Sequence, residues 1–133
     1  MGFYDHYAKR PRNSLGLRVK MYQARFIFNL AFGDNKKPLS AFEIGPGDGY
    51  IAKLADDCNC KYLGIEASET IAAKLSEEGH NIIHSFVPPL PEDIGIFDIC
   101  YALHVIEHMH DMDAATQLIR QIRDHLNVGG KVV

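Results

Sequence analysis

Residues 40–54, SAFEIGPGDGYIAKL, decide the fold class of this chain. An apolar run ends at Ile44, and glycines follow at every second position: Gly45, Gly47 and Gly49. Apolar residues at helical spacing come next, at Ile51 and Leu54. A glycine-rich turn between a strand and a helix lets the backbone approach a ligand closely. The stretch therefore predicts a strand, a ligand-binding loop and a helix, in that order.

The rest of the chain repeats this alternation of short apolar runs and helical patterns. The strand candidates are LSAFEI, KYLGIE, NIIHSF, IFDICYALHVI and a final KVV preceded by the turn NVGG. Helical patterns separate most of them, including one that starts at Ser68 and ends at Gly79. Such alternation predicts an α/β fold in which helices cover both sides of a parallel sheet. Ligands bind such sheets beyond the carboxyl ends of the strands, where the glycines lie.

A further helix is predicted before the first strand, from Ser14 to about Gly33. Its apolar residues recur at spacings of four and three, at Leu15, Val19, Tyr22, Phe26 and Leu30. This spacing predicts an amphipathic helix with one apolar face. We expect residues 1–38 to form an N-terminal arm and helix, and residues 39–133 to form the ligand-binding domain.

Composition is that of an ordinary folded domain. The 133 residues are 47% hydrophobic and 23% charged, and no apolar run has the length of a membrane span. The N-terminus has no apolar signal-peptide core, so we expect a cytoplasmic protein without a membrane partner. Three cysteines, an odd count, favour reduced thiols over a disulfide framework. Cys58 and Cys60 have no second pair, so no metal site is expected.

Charge is unevenly distributed along the chain. Residues 1–33 carry six basic side chains and one acidic side chain, a net +5, whereas residues 34–133 carry eight and sixteen, a net −8. The basic segment is compatible with a solvated helix face, or it could attract an anionic substrate or a nucleic acid. No aromatic–basic recognition motif accompanies it, and the nucleic-acid alternative stays open.

The glycine loop itself restricts the ligand. A dinucleotide loop has the pattern Gly-x-Gly-x-x-Gly, and here the third glycine comes one residue early, which disfavours a nicotinamide-dependent oxidoreductase. Glu43 and Asp48 beside the loop disfavour a pyrophosphate and favour a cationic ligand. Glu66, 17 residues after Gly49, ends the second strand, where nucleoside-binding folds place an acid for the ribose hydroxyls. S-adenosylmethionine satisfies these requirements.

Four motifs resemble the class I S-adenosylmethionine-dependent methyltransferases. EIGPGDG, from Glu43 to Gly49, resembles their first motif, and YLGIEAS resembles the second. PEDIGIFDICYALHVIEHM resembles their fourth-strand region, and HLNVGGKVV the turn before strand five. The resemblance covers residues 39–133 and implies a three-layer, Rossmann-like, doubly wound sheet. It also implies seven strands, of which this chain lacks the last two. We therefore expect either a fragment or a homo-oligomer that covers the edge at strand five.

The same resemblance implies roles for particular residues. The backbone at Gly45 and Gly47 would approach the methionine part of the cofactor, Glu43 would orient its ammonium, and Glu66 would hold the ribose hydroxyls. Phe86 stands where the family often carries an Asp for the adenine amino group. The full set of expected cofactor-binding residues is Glu43, Gly45, Pro46, Gly47, Gly49, Glu66, Ala67, Phe86 and Leu103.

Catalytic candidates follow the fourth strand. Methyl transfer mainly requires alignment of the reacting atoms, together with a general base when the acceptor arrives protonated. His104 and His108 are the candidate bases; the alternatives are packing residues or a metal pair, which has no recognisable third ligand. The function expected is S-adenosylmethionine-dependent methyl transfer to an unidentified small molecule or polar acceptor. The alternative is a non-catalytic, methyltransferase-like binding or assembly module, or a truncated fragment.

Overall fold

A computed structural model of the protein describes residues 14–32 and 39–133, so most of the expected N-terminal arm lies outside the described residues. Within this part, no helix has the length and apolar character needed to cross a membrane. In chain order, the elements are α1 Ser14–Phe32, β1 Ser40–Ile44, α2 Tyr50–Asp57, β2 Lys61–Glu66, α3 Glu69–Glu77, β3 Ile82–His84, β4 Phe97–Tyr101, a 3₁₀ turn Ile106–His108, α4 Met112–Asp124 and β5 Leu126–Val132.

The five strands form one parallel sheet in the order β3-β2-β1-β4-β5. The order reverses beside β1, because β2 follows on one side and β4 on the other. This arrangement confirms the predicted doubly wound α/β fold. The loop after β1 therefore lies at the topological switch point, where such sheets bind ligands.

The hydrophobic core has two layers, one on each face of the sheet. On one face, residues of α1 and α2 pack on β1, β2 and β4; on the other, Leu118 and Ile122 of α4 pack with strand residues that include Phe42 and Phe97. The rings of Phe42 and Phe97 lie 5.2 Å apart. The two layers hold the central strands and their carboxyl-terminal loops in fixed positions.

The apolar face predicted for α1 does not face the core. Its five residues are all exposed, from Val19 at 49% to Tyr22 at 76%. The opposite side is buried instead, through Ala24, Phe28 and Ala31. The two alanines let the helix approach the sheet closely, and the Phe28 ring stacks on Tyr101 with centroids 5.8 Å apart. The predicted helix is present, but because α1 has apolar residues on both sides, their spacing does not indicate which side is buried.

Two strand boundaries also differ from the prediction. The long apolar run after Ile96 is a strand only to Tyr101, and residues 102–105 form a loop. NVGG, predicted as a turn, belongs to β5, whose pairing with β4 shifts between Phe97 and Ile99. The Asn127 amide donates to the Asp98 carboxylate at 2.9 Å and holds this irregular stretch. β5 forms one edge of the sheet, and Val128 is fully exposed there.

Candidate cofactor and active site

A cavity of about 530 Å³ opens at the carboxyl ends of β1, β2 and β4. It has one wall from the glycine loop and the end of β2, which we call the glycine-loop wall (residues 43–48, 66 and 67). The loop after β4, called the histidine loop (residues 103–110), forms a second wall through Leu103, His104, Val105, His108 and Met109. The α1 side chains Lys20, Gln23, Ala24 and Ile27 form a third wall that sequence reasoning did not assign to the site.

The structure brings nearly all of the predicted site residues to this cavity. Its lining includes Glu43, Gly45, Pro46, Gly47, Glu66, Ala67, Phe86, Leu103, His104 and His108. Gly49 does not line it and is buried behind the loop at the start of α2. The shared location follows from the parallel sheet, which gathers the carboxyl ends of its strands at one edge. The individual roles stay predictions.

Gly49 shows why the glycine loop needs its third glycine. Its φ is +79°, a left-handed conformation that non-glycine residues rarely adopt. A Cβ atom at this position would also lie 2.6 Å from Cδ2 of the buried Leu75. The Gly49 N–H donates to the Pro46 carbonyl at 2.9 Å, which closes the turn. Gly49 thus positions the loop without contacting the cavity.

Glu66 ties the glycine loop to the start of α3. One carboxylate oxygen accepts a hydrogen bond from the Gly47 N–H at 3.2 Å, and the other accepts from the Ser68 N–H at 2.9 Å. Ser68 in turn caps α3 by accepting from the Ile71 N–H. The side chain is buried at the cavity wall. Its two oxygens are therefore fixed in position, as is required for a bidentate contact with two hydroxyls.

Glu43 is a second buried carboxyl group on the same wall. The hydroxyl of Tyr62 donates a hydrogen bond to the Oε2 atom of Glu43 at 2.6 Å. Burial raises the pKa of Glu43 to about 8, while the Tyr62 hydrogen bond lowers it and the charge of Glu66 raises it. Burial likewise raises the pKa of Tyr62 well above its ordinary value. The sequence did not predict the contact of Tyr62 with Glu43. In the sheet, Tyr62 lies opposite Ala41 of β1, and Gly64, two residues later, lies opposite Glu43.

Helix α1 is connected to the glycine loop by an ion pair. The Lys20 Nζ atom lies 3.4 Å from Oδ2 of Asp48, whose side chain is nearly buried. The predicted acid beside the loop is therefore paired with a cation from another element. The wall formed by α1 is thereby held against the loop that it faces.

Most residues of the histidine loop are exposed, whereas Val105 is buried in the core. His104 has a φ of +55°, a conformation that costs a non-glycine residue roughly 1–2 kcal/mol. Its Nδ1 atom lies 3.0 Å from Oε1 of Glu107. The backbone N–H of Glu107 itself, followed by the His104 ring, lowers the pKa of the Glu107 carboxyl. Because Nδ1 of His104 contacts Glu107, Nε2 is the ring nitrogen available to contact another molecule.

His108 shares this loop, and its side chain lines the cavity. The metal-pair alternative for His104 and His108 has no supporting cluster. Among the residues that the structure describes, no three His, Cys, Asp or Glu side chains are grouped to hold a metal ion.

The fold and the site geometry together define a Rossmann-like domain with a cleft at the carboxyl ends of its central strands. A family model described as a methyltransferase domain matches residues 17–133. The chain therefore belongs to the methyltransferase domain family. This confirms the resemblance to the class I S-adenosylmethionine-dependent methyltransferases.

A curated relative and two solved structures give the extent of the similarity. An uncharacterized methyltransferase of Mycolicibacterium gilvum (strain PYR-GCK) is 28% identical over 87 residues, which are 62% of this chain and 34% of that protein. The PH0226 protein of Pyrococcus horikoshii OT3 superposes with a TM-score of 0.79 at 21% identity, over 98% of this chain and 65% of that one. The CcbJ methyltransferase of Streptomyces caelestis gives 0.73 at 23% identity, over 97% and 54%.

A third solved structure is the plantazolicin methyltransferase BpumL in complex with SAH. It has a TM-score of 0.63 at 18% identity and matches 92% of this chain and 47% of its own. These structural likenesses concern the fold. The chain spans about a third of the curated relative and between about half and two thirds of the solved chains.

Proposed function

We propose that the protein transfers the methyl group of S-adenosylmethionine to a polar small-molecule acceptor. The observation that carries this proposal is the pair of buried carboxyl groups, Glu43 and Glu66, on either side of the glycine loop at the cavity wall. Buried carboxylates favour a ligand with hydroxyl groups and positive charge. Membership of the methyltransferase domain family supports the same ligand.

The residues of the glycine-loop wall would bind and orient the cofactor. Glu66 would accept hydrogen bonds from the ribose hydroxyls, with Ala67 beside the adenine and Phe86 against its face. Gly45 and Gly47 would let the backbone approach the methionine portion. S-adenosylmethionine supplies a methyl group that its sulfonium already activates, so these residues contribute mainly alignment.

The residues of the histidine loop would act on the acceptor. Leu103 and His104 would lie near the reactive methyl group, and the His104 ring would take the proton of a hydroxyl or ammonium acceptor. Glu107 would hold Nδ1 of that ring and fix its orientation, because the two groups are already 3.0 Å apart. His108 is the second candidate base, since it lines the same cavity.

Calorimetric titration with S-adenosylmethionine and S-adenosylhomocysteine tests the cofactor assignment. We expect micromolar binding that Glu66→Ala weakens by about 100-fold, because two charge-assisted hydrogen bonds are lost. Glu69→Ala is the matched control: it removes an exposed carboxylate from the next element, and affinity should not change.

Two further measurements decide the outcome. Circular dichroism establishes that Glu66→Ala is folded, and Glu66→Gln supplies a variant that keeps the side-chain shape. Equal affinity in wild type and folded Glu66→Ala would contradict the proposal. Binding of NAD in place of S-adenosylmethionine would indicate an oxidoreductase, and a folded chain that binds neither would favour the non-catalytic module.

A further inference from the structure

Tyr62 and Gly64 of β2 meet Glu43 of β1, which lines the cavity. In the parallel register, Tyr62 lies opposite Ala41 and Gly64 lies opposite Glu43. The Tyr62 side chain nevertheless reaches along the strand, and its hydroxyl donates to Oε2 of Glu43 at 2.6 Å. The Tyr62 hydroxyl therefore lies beside Gly64, the residue opposite Glu43.

Gly64 provides that space. A Cβ atom at Gly64 would lie 3.0 Å from the Tyr62 hydroxyl, 2.6 Å from Cδ1 of Ile82 and 3.1 Å from Cγ of Pro46. Its backbone has an ordinary extended conformation, so glycine is required here because a Cβ atom would be too close to its neighbours. The Tyr-x-Gly sequence on β2 thus allows a side chain to reach the carboxyl group of the neighbouring strand.

Among the described residues, most of the titratable groups around Glu43 are acids. Glu43 is 4% exposed and lines the cavity. Burial raises its pKa to about 8, so the carboxyl group holds a proton at neutral pH when the cavity is empty. The other described titratable groups around it or in the same cavity lining are Tyr62 and Glu66 of β2, Cys100 and Tyr101 of β4, Asp48 of the glycine loop, Tyr50 of α2, Lys20 of α1, and His104 and His108 of the histidine loop.

We propose that Tyr62, Gly64 and Glu43 form a proton-coupled ammonium subsite. In this subsite Tyr62 is a positioning residue: its hydroxyl occupies one oxygen of Glu43 and directs the other oxygen to the cavity. When the cofactor's α-ammonium enters, Glu43 releases its proton to solvent and becomes the carboxylate that pairs with the cation. No covalent bond forms or breaks apart from the O–H bond of Glu43. This inference rests on the proposed cofactor.

Titration calorimetry in two buffers of different ionisation enthalpy, phosphate and Tris, counts the protons released on binding. For S-adenosylhomocysteine at pH 7 we expect roughly one proton per site, because the pKa of Glu43 lies about one unit above that pH. For 5′-methylthioadenosine, which has the nucleoside but no ammonium, we expect none. Glu43→Gln should bind both ligands without releasing a proton.

The pH dependence of affinity isolates the contribution of Tyr62. Tyr62→Phe removes a hydrogen bond that lowers the pKa of Glu43, so the midpoint of the affinity-against-pH curve should move to higher pH. Tyr101→Phe is the matched control, because it removes a buried hydroxyl on the other side of Glu43 that donates to the Phe28 carbonyl at 2.9 Å. That variant should lose stability to a similar extent and keep the wild-type midpoint.

The outcomes separate this inference from the proposed function. If folded wild-type protein binds neither ligand, the cofactor assignment fails. If it binds S-adenosylhomocysteine with the same apparent enthalpy in both buffers, the cofactor assignment stands and the proton coupling is wrong. A midpoint that stays in place in folded Tyr62→Phe would overturn the role of Tyr62.

Discussion

The glycine-loop wall and the histidine loop face the same cavity, yet their side chains are held in opposite ways. Glu43 and Glu66 are at most 4% exposed, and each has a recorded partner within the domain. His104 is 90% exposed and contacts another exposed side chain, Glu107. Fixed, desolvated groups suit a ligand of constant shape, whereas open, polar groups leave room for a second molecule. This difference supports the proposal that the glycine-loop wall binds the cofactor and that the histidine loop faces the acceptor.

Glu43→Gln tests how strongly the glycine-loop wall is desolvated, and it carries the largest expected effect. The folded-state pKa of Glu43, about 8, lies above its ordinary value of 4.5, so the folded protein binds more protons than the unfolded chain between these values. Wild-type stability should therefore fall as pH rises from about 5 to 8. Glu43→Gln has no charge to bury, and its advantage should grow to roughly 2–4 kcal/mol over that range.

Chemical denaturation of both proteins at several pH values measures this difference. Glu69→Gln removes an exposed carboxylate and should follow the wild-type curve. A constant gap between wild type and Glu43→Gln across pH 5–8 would show that Glu43 is ionised in the folded protein.

His104→Ala tests the other wall. Removal of a general base costs about 100-fold or more in rate, while cofactor affinity should change less than threefold if His104 faces the acceptor as we propose. The assay follows S-adenosylhomocysteine formation against a panel of small hydroxyl and amine acceptors. His110→Ala, which removes an exposed histidine of the same loop paired with Asp111, is the control. A larger loss of cofactor affinity than of turnover would reverse the assignment of the two walls.

Gly49→Ala examines whether the glycine-loop wall depends on close packing behind it. Gly49 and Gly79 both have a positive φ, so alanine is strained at either position. Only at Gly49 would the new Cβ meet a buried side chain, Leu75, whereas nothing lies within 4 Å at Gly79. Gly49→Ala should lower the free energy of unfolding by about 1–2 kcal/mol more than Gly79→Ala. Equal losses in thermal melts would mean that Leu75 moves aside freely.

Phe86→Asp has the smallest expected effect and concerns the part of the cavity that we propose for the adenine. Phe86 is exposed, and it offers no side-chain acceptor for the adenine amino group. Adding a carboxylate there should tighten S-adenosylhomocysteine binding by up to about tenfold relative to Phe86→Ala, since a hydrogen bond to a charged group is gained. An analogue with oxygen in place of the 6-amino group should not show this gain. If both ligands gain equally, the adenine lies elsewhere.

The sequence predicted the sheet and the glycine-loop wall because both depend on local patterns. Strand–helix alternation determines the parallel order, and the order brings Gly45, Glu66 and His104 to one cavity. The buried face of α1 was not predictable from spacing, since the choice depends on how closely Ala24 and Ala31 approach the sheet. The role of Tyr62 was also not predictable from local patterns. Its contact with Glu43 requires the space at Gly64, and only the register of β1 and β2 places Gly64 opposite Glu43.

The ion pair between Lys20 and Asp48 has a consequence for the kinetics of the site. It joins α1 to the glycine loop, and α1 also supplies a wall of the cavity. Local opening of this helix would separate that wall from any bound molecule, so a ligand would dissociate more easily while the helix is open. Occupancy of the cavity should therefore slow amide hydrogen exchange along α1 as well as in the loop that binds the ligand. A helix outside the glycine motif thus sets an upper limit on how long the cavity retains its ligand.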